Sequence, residues 1–287
     1  MKNLDVNFAY DVLSVPTFSS MEDEMVEFIC KWAKKNGVKY ERDSYGNLYL
    51  TKGECVEGEY YPCVTSHLDT VHKGQKFLAV MGLRLDLCER VTENGHEVFS
   101  RDMGIGADDK AGVVISLSLF KYFDKLKACF FLEEESGCKG SQNLNKEWFE
   151  NVGYVIGWDS PERNRSAYAC DGELLFSKEF FKKVEKVCEK NGLTNFYSEP
   201  ITDVEFIRKL TGLMCMNIGN GGYNPHQPTE YVVLEHMDEA LLLGIELITT
   251  LGLNRYTMPS KNIWFDDTLD SEDEDIKFFS GFSDFSW

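Results

Sequence analysis

The sequence has few basic residues and no long hydrophobic run. Its 287 residues include 30 Lys and Arg against 48 Asp and Glu, which gives a net charge of −18 at pH 7. Because no basic cluster is present to neutralise phosphate groups, the composition argues against nucleic acid or an anionic membrane as a partner. No segment approaches the about 18 consecutive apolar residues that a membrane-spanning helix requires. The chain is therefore expected to bind neither nucleic acid nor membrane.

A regular framework of cysteine pairs is also lacking. The nine Cys are an odd number, they are scattered, and no Cys-x-x-Cys occurs. The first residues, MKNLDVNFAYDVLSV, lack the basic start and apolar run of a signal peptide. These features predict a reduced, soluble protein of the cytoplasm.

Apolar strands alternate with amphipathic helices along the chain. This alternation predicts an α/β fold, a three-layer α/β/α sandwich around a mostly parallel mixed sheet. Residues 1–260 are expected to form a single domain, and residues 261–287 an acidic and aromatic tail. The predicted strands are YYPCVTSH (60–67), KACFFLEEESG (127–137), GYVIGWDS (153–160) and the start of LTGLMCMNIGNGGYNPH (210–226), and the main predicted helices cover 19–37, 108–123, 177–192 and 233–252.

Only five His occur, and two of them stand at the ends of predicted strands. His67 ends the first strand, with Asp69 two residues later, and His226 follows the last strand. Three Glu, at 133–135, end the second strand, and Asp159 ends the third. In α/β folds, ligands collect at the carboxyl ends of the strands. Each feature alone has an ordinary explanation, such as a solvated turn, but their common location indicates a site.

The residue types at this edge suit zinc, which imidazoles and carboxylates bind. Two zinc ions about 3.5–4 Å apart need a shared ligand, and Asp108, at the start of a predicted helix, is the candidate bridge, although an acid there is often just a cap. His67 with Asp159 is predicted to hold one ion, and His226 with one Glu of the triplet the other. Asp69 can accept the His67 ring N–H and orient it. A remaining Glu can move a proton from water to a leaving amine, which predicts hydrolysis of an amide bond.

The order and local sequence of these motifs resemble the dinuclear zinc exopeptidases of the peptidase T, carboxypeptidase G and aminoacylase family. The resemblance covers most of residues 10–250. It implies that family's zinc-exopeptidase (phosphorylase/hydrolase-like) fold and two Zn²⁺ per chain, with Co²⁺ or Mn²⁺ as other metals for the site. The matching segments are SVPTFSSMEDEMVEFI, DSYGNLYL, SHLDTV, GADDKAG, FFLEEESG, YVIGWDS and GYNPHQPTEYV.

The same resemblance implies a role for each residue. Glu134 would be the general base. Asp69 would be a catalytic residue that partners the metal ligand His67, and Glu230 would lie near the site. The peptide bond after the bridging Asp is cis in that family. The implied metal ligands are His67, Asp108, Glu135, Asp159 and His226.

Two features depart from that family's pattern. Asp171, in YACDG, is a rival to Asp159 as the fourth ligand, although a buried apolar strand leads straight into Asp159. Members of the family usually carry an inserted lid domain after this ligand, which binds the substrate's carboxylate, but only about 16 residues separate Asp159 from the next predicted helix. Residues 1–260 are therefore expected to be a catalytic domain without a lid. The candidate replacements for carboxylate binding are Arg101, Arg163 and Arg165.

Together these features predict a zinc-dependent metallopeptidase of short peptides. An aminopeptidase is favoured, because no lid would hold a substrate carboxylate. N-acyl amino-acid deacylation and carboxypeptidase activity stay open, as does a non-catalytic binding protein that keeps the scaffold. The aromatic end of the tail, FFSGFSDFSW, either folds back over the body or docks on a protein partner.

Overall fold

The computed structural model describes residues 1–258, so the predicted tail, 261–287, lies outside the described residues. Among residues 1–258, no helix is both long and apolar enough to cross a membrane. The described helices are α1 (Val6–Leu13), α2 (Asp23–Lys35), α3 (Lys73–Met81), α4 (Ala107–Leu119), α5 (Lys139–Gln142), α6 (Lys178–Lys190), α7 (Asp203–Thr211) and α8 (Leu234–Leu251), with a short 3₁₀ helix at Lys146–Phe149. The described strands are β1 (Lys39–Arg42), β2 (Leu48–Lys52), β3 (Tyr61–His67), β4 (Leu87–Thr92), β5 (Gly95–Ser100), β6 (Leu126–Phe131), β7 (Val152–Ser160), β8 (Arg165–Cys170), β9 (Glu173–Leu174), β10 (Asn195–Glu199), β11 (Cys215–Gly219), β12 (Gly222–Tyr223) and β13 (Tyr231–Val233).

The larger sheet has the strand order β1-β2-β6-β3-β7-β11-β8-β10, and β9 pairs with β8. Its inner strands β6, β3, β7 and β11 are parallel, whereas β2 and β8 join them in antiparallel fashion. Every residue of β3, β6 and β11 is buried. Burial on both faces explains why these strands are continuous apolar runs in the sequence. The predicted α/β fold with a mostly parallel mixed sheet is confirmed.

Helices cover both faces of this sheet. In β3, Ser66 Oγ lies 3.0 Å from Ser116 Oγ of α4, so Ser66 faces that helix. Thr65 points the other way, because consecutive strand residues face opposite sides, and a Cβ built on Gly157 would contact both Thr65 and Val204 of α7. On the first face, α1 and α8 pack against α4, and α6 packs against α8; on the second, α5 contacts α7. This is the predicted three-layer sandwich.

Helix α6 illustrates how local sequence sets an element. Ser177 precedes it in extended conformation, and its side chain accepts a hydrogen bond from the Phe180 N–H, as expected of a cap. Gly192 follows its end with φ of +72°, a conformation that favours glycine. Its buried face consists of Phe180, Phe181, Val184 and Cys188.

A second, antiparallel sheet is absent from the sequence-based prediction. Its order is β12-β13-β5-β4, and the loop between β12 and β13 carries His226. All residues of β4 are at least partly exposed, so the segment has no buried apolar run that would mark it as a strand. The assignment of residues 1–260 to one catalytic domain without a lid stays a prediction.

Candidate metal centre

Three parallel strands bring candidate ligands to one edge of the larger sheet. Strand β3 ends at His67, β6 leads into Glu135, and Asp159 is the penultimate residue of β7. Because β3 pairs in parallel with both β6 and β7, their carboxyl ends coincide. His226 comes from the loop between β12 and β13, and Asp108 from the start of α4. The topology therefore brings all five residues together.

Asp108 lies between the two imidazoles. His67 Nε2 is 2.8 Å from Asp108 Oδ1, and His226 Nε2 is 3.2 Å from Asp108 Oδ2. A second carboxylate accompanies each ring: Asp159 Oδ1 is 3.3 Å from His67 Nε2, and Glu135 Oε1 is 3.0 Å from His226 Nε2. Ligand atoms of His67, Asp108 and Glu135 all lie within 4.8 Å of one another. The cluster is thus two imidazole–carboxylate pairs around one shared carboxylate.

Asp171, the rival of Asp159, lies in a different environment. It is exposed in the turn between β8 and β9, with φ of +44°, and its N–H donates to the carbonyl of Glu199. The side chain of Asp159 is only 14% exposed, and its Oδ2 accepts a hydrogen bond from Thr202 Oγ1 at 2.8 Å. The geometry therefore favours Asp159 as the ligand.

Two adjacent acids at the start of α4 make different contacts. The Asp108–Asp109 peptide bond is cis, as the family resemblance implies. The Asp108 side chain enters the cluster, whereas the Asp109 carboxylate accepts the N–H groups of Gly112 at 3.0 Å and His67 at 3.2 Å. Asp109 therefore makes the bond typical of a helix cap.

A buried carboxylate holds the backbone of Asp108. Glu230, which is 1% exposed, accepts hydrogen bonds from the N–H groups of Gly106 at 2.6 Å and Asp108 at 3.1 Å. Its Oε2 also lies 2.5 Å from His72 Nε2. The backbone position of Asp108 thus depends on Glu230, which lies four residues after His226 in the sequence.

Asp69 joins His67 to the acidic triplet. Its Oδ1 lies 3.4 Å from His67 Nδ1, and its carbonyl oxygen lies 3.2 Å from the same nitrogen. The carboxylate also accepts the N–H groups of Glu134 at 3.0 Å and Glu135 at 3.2 Å, and the Ser19 hydroxyl at 2.6 Å. One fully buried residue therefore orients both the His67 ring and the backbone of the triplet.

The glutamates of the triplet point in different directions. Glu134 lines a cleft of about 420 Å³ beside the cluster, and its Oε1 accepts a hydrogen bond from Cys138 Sγ at 3.2 Å. Glu133 instead accepts hydrogen bonds from the hydroxyls of Ser20 and Tyr45. Glu135 also lines the cleft but pairs with His226, so Glu134 is the glutamate of the triplet that lines the cleft outside the imidazole–carboxylate pairs.

Burial and crowding of carboxylates shift the pKa values of the cluster. Burial, and then the neighbouring charge of Asp159, raises the pKa of Glu134 to about 10. Burial raises the pKa of Asp159 to about 7. The adjacent carboxylates of Asp108 and then Glu135 raise the pKa of His226 to about 10. In the metal-free protein at neutral pH, bound protons therefore offset the negative charge of the clustered carboxylates.

The donor set fits divalent cations. Two imidazoles and three carboxylates face one another, and zinc binds both groups. The buried Glu135 Oε1 makes no hydrogen bond of good geometry, although His226 Nε2 is 3.0 Å away. A buried carboxylate oxygen without a hydrogen bond is costly, and a cation would satisfy it. The cluster is therefore a candidate metal site.

Several supporting residues escape sequence analysis. Thr202 precedes α7 and bonds to Asp159, and Cys138 bonds to Glu134. Asn217, inside β11, accepts the Asp159 N–H at 3.0 Å. A lone Asn in the apolar run LMCMNIG is a signal that could reveal this role, since buried polar side chains need partners. Thr202 and Cys138 directly precede helices α7 and α5, and nothing in the local sequence marks them as parts of a site.

A protein-family model describes much of the chain. The model of peptidase family M28 matches residues 52–209, just over half of the 287 residues. The chain belongs to peptidase family M28. The matched segment contains four of the five candidate ligands, and His226 lies beyond it. The zinc-exopeptidase relationship inferred from the motifs is confirmed.

One curated relative aligns with more than half of this M28 member. The cytosol non-specific dipeptidase of Escherichia coli K12 is 26% identical over 172 residues, which are 58% of this chain. They are 35% of the dipeptidase, so the chain spans about a third of its relative's length.

Solved structures share the fold of this M28 member. Aminopeptidase PepT from Bacillus cereus superposes with a TM-score of 0.70 at 15% identity, covering 86% of this chain and 97% of that chain. A tripeptidase from Staphylococcus aureus has a TM-score of 0.66 at 14% identity, covering 85% of this chain and 96% of that one. At these identities the comparison establishes the fold alone.

The choice between Asp159 and Asp171 leads to a direct prediction. We expect Asp159→Asn to weaken metal binding by about 100-fold or more, because loss of a ligand should exceed the effect of losing a supporting hydrogen bond. Asp171→Asn is the matched control, and it should leave affinity unchanged because Asp171 is exposed in a turn. Metal titration of both variants is the measurement. Weakened binding in the Asp171 variant alone would show that the assignment is wrong.

The pKa shifts predict that metal binding releases protons. At pH 7 His226 is protonated, since its pKa is raised to about 10. Burial lowers the pKa of His67, but the Asp159 and Asp108 carboxylates outweigh burial and raise it well above its usual value. Both rings must lose a proton to bind a metal. Glu134 and the half-protonated Asp159 also lose protons when nearby cations lower their pKa values. Loading at pH 7 should therefore release about three protons or more, and affinity should rise with pH. Calorimetry in buffers of different ionisation enthalpy measures the number, and a value near zero would contradict the prediction.

Proposed function

We propose that this M28 member is a zinc-dependent exopeptidase that releases N-terminal residues from short peptides. The observation that carries the proposal is the cluster, in which Asp108 lies between His67 and His226 and a further carboxylate accompanies each ring. Membership of a peptidase family, and a curated relative named as a dipeptidase, support peptides as the substrates.

In this proposal, His67 and Asp159 would hold one cation and His226 and Glu135 the other, with Asp108 as the shared ligand. Zinc held there would supply a Lewis acid for the scissile carbonyl and for water. The same five side chains also suit Co²⁺ or Mn²⁺.

Glu134 is proposed as the general base. Its carboxylate lines the cleft beside the cluster without belonging to the imidazole pairs. It takes a proton from water and delivers it to the leaving amine. Its pKa of about 10 reflects burial and nearby carboxylates, so cations held by those carboxylates would lower it and ionise Glu134. The Cys138 thiol, which donates to Oε1, helps to keep the side chain in place.

Asp69 is proposed to set the tautomer of His67. Both its carbonyl and its carboxylate oxygen lie near Nδ1, while Nε2 faces Asp108. A proton on Nδ1 leaves the Nε2 lone pair for a metal. Removal of the Asp69 carboxylate would therefore loosen the ring and the triplet together.

The test is hydrolysis of leucyl-glycine and leucyl-glycyl-glycine by the zinc-loaded chain. The proposal expects about two zinc ions per chain, release of leucine and glycyl-glycine from the tripeptide, loss of activity with a chelator and recovery when zinc is restored. Release of glycine and leucyl-glycine from the tripeptide would instead identify a carboxypeptidase. Hydrolysis of N-acetyl-leucine but not of leucyl-glycine would instead identify a deacylase. Bound zinc without turnover of any of these compounds would favour the non-catalytic binding protein and overturn the enzymatic proposal.

A reducing compartment is also proposed for the chain. All nine cysteines are free in the structure, including Cys63 and Cys129, whose sulfurs are 4.0 Å apart. Free thiols in proximity are typical of cytoplasmic proteins. The name of the E. coli relative places that protein in the cytosol.

A further inference from the structure

A single guanidinium stands among the carboxylates of the cleft. Arg165 is the one Lys or Arg among the described residues that line it. The other two arginines singled out in the sequence make contacts elsewhere: Arg163 pairs with the exposed Glu239, and Arg101 reaches Cys88. Among the three, the fold places only Arg165 beside the candidate metal ligands.

The Arg165 side chain is held in one orientation. Its Nε donates to Glu199 Oε1 at 2.9 Å, and its Cζ lies 4.5 Å from the centre of the Tyr197 ring. Glu199 is itself fixed, because its Oε2 accepts hydrogen bonds from Ser160 Oγ at 2.7 Å and Asn217 Nδ2 at 3.2 Å. A guanidinium that is positioned in advance loses little entropy when it binds an anion.

The terminal nitrogens of this guanidinium are available to a ligand. Within residues 1–258 the Nη1 and Nη2 atoms of Arg165 have no hydrogen-bond acceptor, and the side chain is 29% exposed. Two parallel N–H groups match the two oxygens of a carboxylate. The chemistry of the site therefore favours a carboxylate as its ligand.

A short line of hydrogen bonds connects Arg165 to the metal cluster. The Asp159 N–H donates to Asn217 Oδ1 at 3.0 Å, and the Nδ2 of the same Asn217 donates to Glu199, which binds Arg165. Arg165 also lines the same cleft as Asp108, Asp159 and His226. A carboxylate bound by Arg165 would therefore lie in the cleft that holds the candidate metal ligands.

We infer that Arg165, positioned by Glu199, binds the C-terminal carboxylate of the substrate and so selects short peptides over longer chains. The effect of Arg165 on catalysis rests on the proposed peptidase function. Arg165 and Glu199 would recognise the C-terminus of the peptide, while the proposed metal ligands act at the scissile bond. An enzyme that releases N-terminal residues can therefore also recognise the opposite end of a short peptide.

The test compares leucyl-glycine with leucyl-glycinamide, which differ only in the carboxylate. Wild-type protein should prefer the free acid in kcat/KM by roughly 10- to 100-fold, the usual effect of a charged hydrogen bond. Arg165→Gln should remove this preference mainly through a higher KM for the acid, while the amide is unaffected. Arg163→Gln is the matched control and should keep the wild-type preference, since Arg163 lies outside the cleft lining.

A binding measurement separates this inference from the proposed function. The probe is a leucyl-glycine analogue with a reduced, non-hydrolysable –CH₂–NH– link, in free-acid and amide forms, measured by calorimetry. Tighter binding of the acid that Arg165→Gln abolishes would support the carboxylate site even if no peptide is cleaved. Equal binding of acid and amide by the wild type overturns the inference while leaving the peptidase proposal intact. Arg165→Lys, which keeps a charge for Glu199, should fold like the wild type and retain only part of the preference.

Discussion

Glu134→Gln is expected to lower kcat by about 10³-fold or more while leaving the metal content unchanged. The substitution keeps the size of the side chain but removes the group that accepts a proton. Glu134 lies in the cleft lining, outside the two imidazole–carboxylate pairs, so the metal ligands keep their contacts. A fall in kcat with a nearly constant KM would identify an interaction made in the transition state.

Glu133→Gln is the matched control for this experiment. The two glutamates are neighbours, but Glu133 makes its hydrogen bonds with Ser20 and Tyr45, outside the cleft lining. Its replacement should change kcat by no more than a few-fold, about the effect of a surface hydrogen bond. Similar losses in both variants would mean that Glu134 has a structural role, and loss of zinc from Glu134→Gln would make it a ligand instead.

Asp108→Asn is expected to abolish activity, with a loss of about 10⁴-fold or more, and to reduce the bound zinc from about two ions to one or none. Asp108 uses one oxygen toward His67 and the other toward His226. An amide is neutral and offers only one acceptor oxygen, so it cannot serve two cations. Elemental analysis after dialysis gives the zinc content, and activity is measured on the same samples.

The same substitution should change the metal-free protein in a predictable direction. Burial raises the pKa of Asp108, but hydrogen bonds with His226 and then His67 outweigh burial and hold its pKa well below its usual value. Without that carboxylate, the pKa of His226 should fall. Fewer protons should then be released by any remaining metal binding at pH 7.

Asp238→Asn provides the control for Asp108. Its carboxylate accepts hydrogen bonds from the N–H groups of Lys2, Asn3 and Leu4. This variant should retain full zinc content and activity. If Asp108→Asn also binds two zinc ions and cleaves leucyl-glycine at the normal rate, the shared-ligand proposal is wrong.

Asp108 also illustrates the limits of reading a sequence. The motif GADDKAG indicates an acid at the start of a helix, but a cap and a metal ligand use the same residue type at the same place. In the structure the two roles fall on consecutive residues, with Asp109 making the capping bond and Asp108 entering the cluster. The cis bond between them follows from the family resemblance rather than from composition or spacing.

Arg165 shows the opposite case. Arg101, Arg163 and Arg165 cannot be told apart from the sequence. Each lies within a few residues of a candidate metal ligand, and none belongs to a recognised motif. Their difference arises from the pairing of β8 with β10. The Arg165 side chain donates to Glu199 of β10 within the cleft, whereas Arg163 pairs with Glu239 of α8. Contacts between residues tens of positions apart depend on strand register, which local sequence does not encode.

The sequence by itself determined the α/β class, the buried strands and the edge at which the polar residues gather, because periodicity and strand ends are local properties of the chain. Its motifs also resemble zinc exopeptidases, and the match to peptidase family M28 confirms that relationship. Tertiary structure alone placed Asp159 in the cluster and Asp171 in an exposed turn, set Asp109 apart from Asp108, and brought Thr202, Asn217 and Arg165 to the cluster. Those choices depend on which strands and helices become neighbours, a property of the packed core as a whole.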